Sequence, residues 1–162
     1  MTNTDNKADN GIVHIIDGVM MIPQGDLVDV LAADDRFSTL VTAVKEAGLV
    51  DTVKAADAFT IFAPTNEAFA KVPEDALNSL LADKEALTDV LLRHVKTGFL
   101  YSKGIMWAEL ETAGGEKIAS QVFRKGVVKV VSSKDGTRSV GRVIDTDITA
   151  TNGVVHAIDT VI

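Results

Sequence analysis

Residues 151–162, TNGVVHAIDTVI, constrain the fold more than any other stretch. Asn152-Gly153 marks a turn, because glycine accepts positive φ and asparagine tolerates it. Val154, Val155, Ile158, Val161 and Ile162 then give a β-branched run. Such a run suits a strand covered on both faces. The same segment occurs near the front as residues 10–20, NGIVHIIDGVM. Seven of the eleven aligned positions are identical, at an offset of 142 residues. One strand repeated at a domain-sized interval means that one structural unit lies between the copies. The front copy then reads as the closing strand of a preceding unit. The chain divides accordingly into a disordered tail (1–9), an orphan strand (10–22) and a complete domain (23–162).

Between the two copies the grammar is helical first and stranded later. Asp26 is placed to cap a short helix with Leu27, Val30 and Leu31 on one face. Asp34 or Asp35 starts the next, where Phe37, Leu40, Val41 and Val44 repeat at helical spacing and Gly48 is the stop. A third helical piece covers 49–55. FTIFA (59–63) reads as a strand ended by Pro64, and Thr65 falls at the N-cap of a short helix over 66–71. Pro73 opens a helix with Leu77, Leu80 and Leu81 inward; Asp83 caps another carrying Leu87, Val90, Leu91 and His94 on one face. After Gly98 strands are expected over 117–123, 127–132, 139–143 and 144–148, with Asp135-Gly136 as a hairpin turn. This order is that of an α+β domain in which 59–63 joins strands far away in sequence.

Composition removes several functions. Hydrophobic residues make up 46% and charged residues 24%, so the chain folds. A net charge of −7 argues against nucleic acid or an anionic membrane surface as partner. With no cysteine there is no disulfide, thiolate metal site or cysteine nucleophile. No apolar run is long enough to span a bilayer, and residues 1–10 do not have the pattern of a signal peptide. None of the six asparagines lies in an N-glycosylation sequon, which favours a source that does not N-glycosylate.

FTIFAPTNEAF (59–69) and TNGVVHAIDTVI (151–162) together resemble the two signature segments of the fasciclin domain family. LLRHV (91–95) resembles the family's central Tyr-His motif, with Arg93 in place of the tyrosine, and the helical opening over 26–53 is also similar. The resemblance covers residues 26–162. It implies an α+β fold, a β-wedge or sandwich of about seven strands with several flanking short helices. It implies a non-catalytic module without cofactor, used in tandem arrays for cell adhesion and extracellular-matrix contact in secreted, surface or periplasmic proteins, here of a bacterial type.

Candidate site residues follow from both readings. His14, His94 and His156 are the only histidines, and His156 and Asp159 sit three apart, on opposite faces of an extended strand. Each histidine is therefore expected to tie strand to helix rather than to hold a metal. Thr65, Asn66, Asn152, Gly153, His156 and Asp159 are expected to be structural. Asp147-Ile148 and the His94 region match segments that the resemblance links with integrin contact. Phe99, Tyr101, Met106 and Trp107 lie in the least patterned stretch and form a candidate contact patch for a protein or, alternatively, for a polysaccharide or small ligand. Residues 10–22, whose apolar side chains need cover, offer a route to homo-oligomers.

Overall fold

A computed structural model describes residues 3–15, 23, 25–55, 58–105, 108–122, 128–134 and 137–162. The first half supplies six short helices, each begun by an identifiable local signal. Asp26 caps α1 (Leu27–Ala32) in a reciprocal capping box with Asp29. Asp34 caps a 3-10 turn that runs into α2 (Ser38–Ala47), which ends at Gly48 in the left-handed region, φ 72°. Then come α3 (Val50–Lys54), α4 (Asn66–Ala70) capped by Thr65, α5 (Glu74–Ala82), and α6 (Lys84–Arg93) capped by Asp83. Helix α5 buries none of its residues, and Leu81, expected inward, is exposed. Leu77 and Leu80 alone on that helix reach the core, so its apolar stripe is narrower than its sequence suggests.

The strands are β1 (Asn3–Ala8), β2 (Gly11–Ile15), β3 (Phe59–Pro64), β4 (Val95–Thr97), β5 (Ala108–Glu111), β6 (Lys117–Val122), β7 (Val128–Lys134), β8 (Thr137–Ala150) and β9 (Gly153–Ile158). Seven of them form one sheet in the order β4-β3-β9-β8-β7-β6-β5. Among the described residues only β3 and β9 run parallel; the other pairs are antiparallel. A bridge between Lys96 and Thr112 joins the two outer strands, so the sheet almost closes on itself. That near-closure removes the free edges on which other chains would pair.

Strand β9 is central and buried at all six positions, as a strand covered on both faces should be. Its side chains divide two cores with a period of two. Val155 and Ala157, with Ile61 and Ala63 of β3, face the helices around Phe37, Leu40 and Leu87. Ile158, with Phe62, faces the inside of the curled sheet around Leu110, Ile118 and Val130. Each fully buried large apolar side chain contributes about 1.5–3 kcal/mol, so this one strand anchors both halves.

Two expectations change. The separate strands at 139–143 and 144–148 are one strand, β8. Register shifts between Val143 and Ile148 bend it, so that its first part pairs with β7 and its second with β9. A bulge turns a strand without ending it, which alternation alone does not reveal. Residues 3–8, expected to be disordered, form β1 and pair with β2 across the Asp9-Asn10 turn in a separate two-stranded sheet. Pairing gives their backbone groups partners that an extended tail lacks. Asp135 and Gly136 lie outside the described residues; Lys134 pairs with Thr137 across them.

Candidate interaction surface

Residues 98–105 leave β4 at Gly98, in the left-handed region with φ 88°, and are fixed to the sheet by three side chains. Thr60, fully buried on β3, donates its hydroxyl to the Gly98 carbonyl at 2.7 Å and accepts the Leu100 N–H at 2.9 Å. His156 on β9 donates from Nε2 to the Leu100 carbonyl at 2.7 Å. Asp147 on β8 accepts the Ser102 N–H at 2.7 Å and the Ser102 hydroxyl. Leu100 packs on the inner core and Ile105 is buried within it. Because the backbone is extended here, the residues flanking Leu100 face outward. Phe99 is 49% and Tyr101 47% exposed.

The tether is self-consistent at the atomic level. Asp147 sits at φ 60°, a conformation aspartate tolerates better than most residues, and its N–H points at His156 Nδ1, 3.3 Å away. His156 therefore carries its proton on Nε2. Burial pushes its pKa down, against the Leu100 hydrogen bond and the charge of Asp147. Its ring stacks on Phe62, with centroids 5.6 Å apart. Thr60, Leu100 and Ser102 have no sequence signature for this role. They come together only because β3, β8 and β9 are neighbours.

His94 is the complementary case. It ends α6, 2% exposed, donating from Nδ1 to the Val90 carbonyl at 2.7 Å and accepting the Ile162 N–H on Nε2 at 3.0 Å. Both nitrogens are used inside the protein, so the ring has nothing to offer a partner. Arg93, which replaces the tyrosine of the family motif, forms an ion pair with Glu116 at 2.6 Å. Ile148 is half-buried against the helical core, so only Asp147 of the Asp-Ile pair has its side chain in the loop. Met106 and Trp107 lie outside the described residues.

The remaining candidates are structural. Thr65 accepts the Ala68 N–H. Asn66 serves a helix other than its own: it accepts the Thr39 N–H at 3.0 Å and donates to the Asp35 carbonyl. It thereby caps α2, whose own N-cap residue Phe37 has no capping side chain. Asn152 accepts the Leu27 N–H at 2.8 Å and donates to the Val53 carbonyl at 2.9 Å, joining the start of α1 to the end of α3. Gly153 is required for space, not for positive φ: a Cβ there would lie 2.3 Å from the Phe59 carbonyl oxygen. Asp159 accepts the Arg142 N–H and the Thr160 hydroxyl, which hold its pKa low although burial works upward. His156 and Asp159 therefore serve different partners. Asp145 turns to Arg36 and Asp147 to Ser102, so these two carboxylates do not converge either. Among the described residues no cluster of three or more His, Asp or Glu is placed to hold a metal ion.

Two depressions complete the surface. A narrow apolar cavity of about 40 Å³ lies between the helices and β3, with Leu31, Val44, Leu49 and Phe59 in its wall. A more open one lies by Arg36, Asn66 and Ile144. Tyr101 lines neither.

A near-closed seven-stranded sheet with one parallel pair, β3 and β9, flanked by short helices, defines an α+β scaffold. The chain belongs to the fasciclin domain family, whose profile matches residues 35–162. It is 38% identical over 161 residues to the transforming growth factor-beta-induced protein ig-h3 of Sus scrofa, covering 98% of this chain and 22% of that protein. The chain thus spans about a fifth of the length of that relative. It is 40% identical over 138 residues to the protein sll1483 of Synechocystis sp., covering 84% of this chain and 72% of that one. Among solved structures it resembles a FAS1 domain pair from the insect cell adhesion molecule fasciclin I. That match has a TM-score of 0.71 and 22% identity, covering 98% of this chain and 57% of the other; at that identity it speaks for the fold.

Proposed function

We propose that the chain is a non-catalytic interaction module, one unit of a tandem fasciclin array, working in adhesion or matrix contact outside the cell or in the periplasm. Its partner is an extracellular protein or polysaccharide, met through residues 98–105. The observation that carries this reading is the pair of half-exposed rings of Phe99 and Tyr101 on backbone pinned by Thr60, His156 and Asp147. Aromatic anchors on fixed backbone contribute most per residue at interfaces, because little freedom is lost on binding. Membership of the fasciclin domain family supports the same direction. The engaged nitrogens of His94 and His156 support a non-catalytic reading, since neither ring is free to move a proton.

The test is a Phe99→Ala/Tyr101→Ala variant measured against immobilised matrix protein and, separately, immobilised polysaccharide. The expected result is a loss of about tenfold or more in affinity for one of the two, with unchanged thermal stability. Undiminished binding to both would refute this surface. Loss on the polysaccharide arm alone would select the polysaccharide reading, which the aromatic rings also suit.

A further inference from the structure

The hairpin β1–β2 reproduces the register of β8–β9. At the constant offset of 142 residues, the pair Asn3↔Ile15 corresponds to Asp145↔Ala157, and Asn6↔Val13 to Ile148↔Val155. Lys7↔Ile12 corresponds to Thr149↔Val154, and Ala8↔Gly11 to Ala150↔Gly153. The irregularity also matches: it falls between Asn3 and Asn6 in one hairpin, and between Asp145 and Ile148 in the other. Sequence identity extends into this part too, with Thr4, Asp5 and Ala8 matching Thr146, Asp147 and Ala150. What repeats is therefore a complete bulged hairpin, not a single strand.

In the domain, β9 pairs with β8 on one side and in parallel with β3 on the other. Among the described residues strand β2 pairs with β1 alone. The sequence of the front hairpin nonetheless retains the residues by which the closing hairpin grips a domain. Asn10 stands for Asn152, which joins α1 to α3; Gly11 for Gly153, which admits the Phe59 carbonyl. Asp5 stands for Asp147, and His14 for His156, two of the three groups that hold the 98–105 loop.

One position sets the two hairpins apart. Ala157 is fully buried and pairs with Ala63, which is also fully buried. The front hairpin has Ile15 at this point. An isoleucine at the Ala157 position adds three carbons at a fully buried site, and overpacking of a close-packed core is destabilising. We propose that residues 3–15 are the closing hairpin of a different fasciclin-type domain. That domain offers a free strand edge in parallel orientation and has more room than Ala63 leaves here. Isoleucine at position 15 bars the hairpin from this chain's own slot. The proposal rests on the tandem-array reading and adds to it the docking mode and the residue that sets its selectivity.

The experiment vacates the slot in the full chain. Gly153→Val drives a side chain into the Phe59 carbonyl and expels β9. Gly153→Val, Gly153→Val/Ile15→Ala and Gly153→Val/Ile15→Ala/Gly11→Val are compared by circular dichroism, thermal melting and mass in solution. The expected result is that the first is destabilised and monomeric at 17.2 kDa. The second should regain at least half of the lost melting temperature and form concentration-dependent multiples of that mass, each hairpin closing the next copy. The third should lose both gains. If the first variant associates as well as the second, the selectivity assigned to position 15 is overturned while the docking mode stands. If the second is no more folded or associated than the first, the closing-hairpin assignment fails and takes the tandem reading with it. Neither result touches the aromatic surface.

Discussion

Acidification should strip stability from one buried contact, that of His94. Its Nε2 accepts the N–H of the final residue, Ile162, and its Nδ1 is committed to Val90, so a second ring proton would meet an N–H head-on. Burial, together with the nearby Arg93 charge and against the Val90 hydrogen bond, pushes its pKa from 6.5 down to about 4. The unfolded chain takes up the proton below about 6.5 and the folded chain only below about 4. Stability is therefore complete above the upper value, falls as pH drops through that window, and levels off beneath it. The full difference is about 3 kcal/mol, of which about 2 kcal/mol is gone by about pH 5. For a chain of this size that is a fall in melting temperature of about 4–8 °C. Other groups titrate as well, so the measurement is the stability gap between the parent and His94→Gln, which stays neutral, followed by urea unfolding from about pH 7.5 to about pH 4.5. The gap should close by about 2 kcal/mol at about pH 5. A gap that stays constant would mean that His94 gains its proton at no cost in the fold, and the account of it as a buried tether would fail.

Two further outcomes follow from the same geometry. Asn152→Ala strands the Leu27 N–H and the Val53 carbonyl together and should cost about 2–4 kcal/mol by urea unfolding, with Asn152→Asp, which keeps the acceptor, losing less. Asp147→Ala removes both Ser102 contacts and should cost about 2–3 kcal/mol; amide exchange should rise across 98–105 and not in α2, while Asp147→Asn should retain most of the protection.

The helical half was legible because its signals are local. Asp26, Thr65 and Asp83 cap where their spacing from the apolar stripes says they should, and Gly48 ends α2. A capping residue acts on backbone two or three positions away, so the sequence carries the whole interaction. Strand β9 was legible for a related reason: a β-branched run interrupted by few other residues has few homes other than a covered strand. The internal echo of that strand was legible as well, since similarity needs no coordinates.

Contacts between distant segments were a different matter. Asn66 looked like part of its own corner, yet it caps α2, because α4 packs beside the start of that helix. Gly153 looked like a turn residue, yet its reason is the Phe59 carbonyl of a parallel strand more than ninety positions earlier. Asp147 and His94 looked like contact residues, yet one clamps a loop and the other anchors the C-terminal residue.

The sequence alone thus determined which segments become helices, which one becomes the fully buried strand β9, and that residues 10–20 echo it. Tertiary structure alone decided which polar groups meet across the sheet, how β8 bends from one half to the other, and why Phe99 and Tyr101 stand outside while Leu100 and Ile105 turn to the core. The division has a physical cause. Propensity and capping act over a few residues and are written in the order of the chain, whereas hydrogen bonds and packing between neighbouring strands depend on a topology that no local pattern encodes.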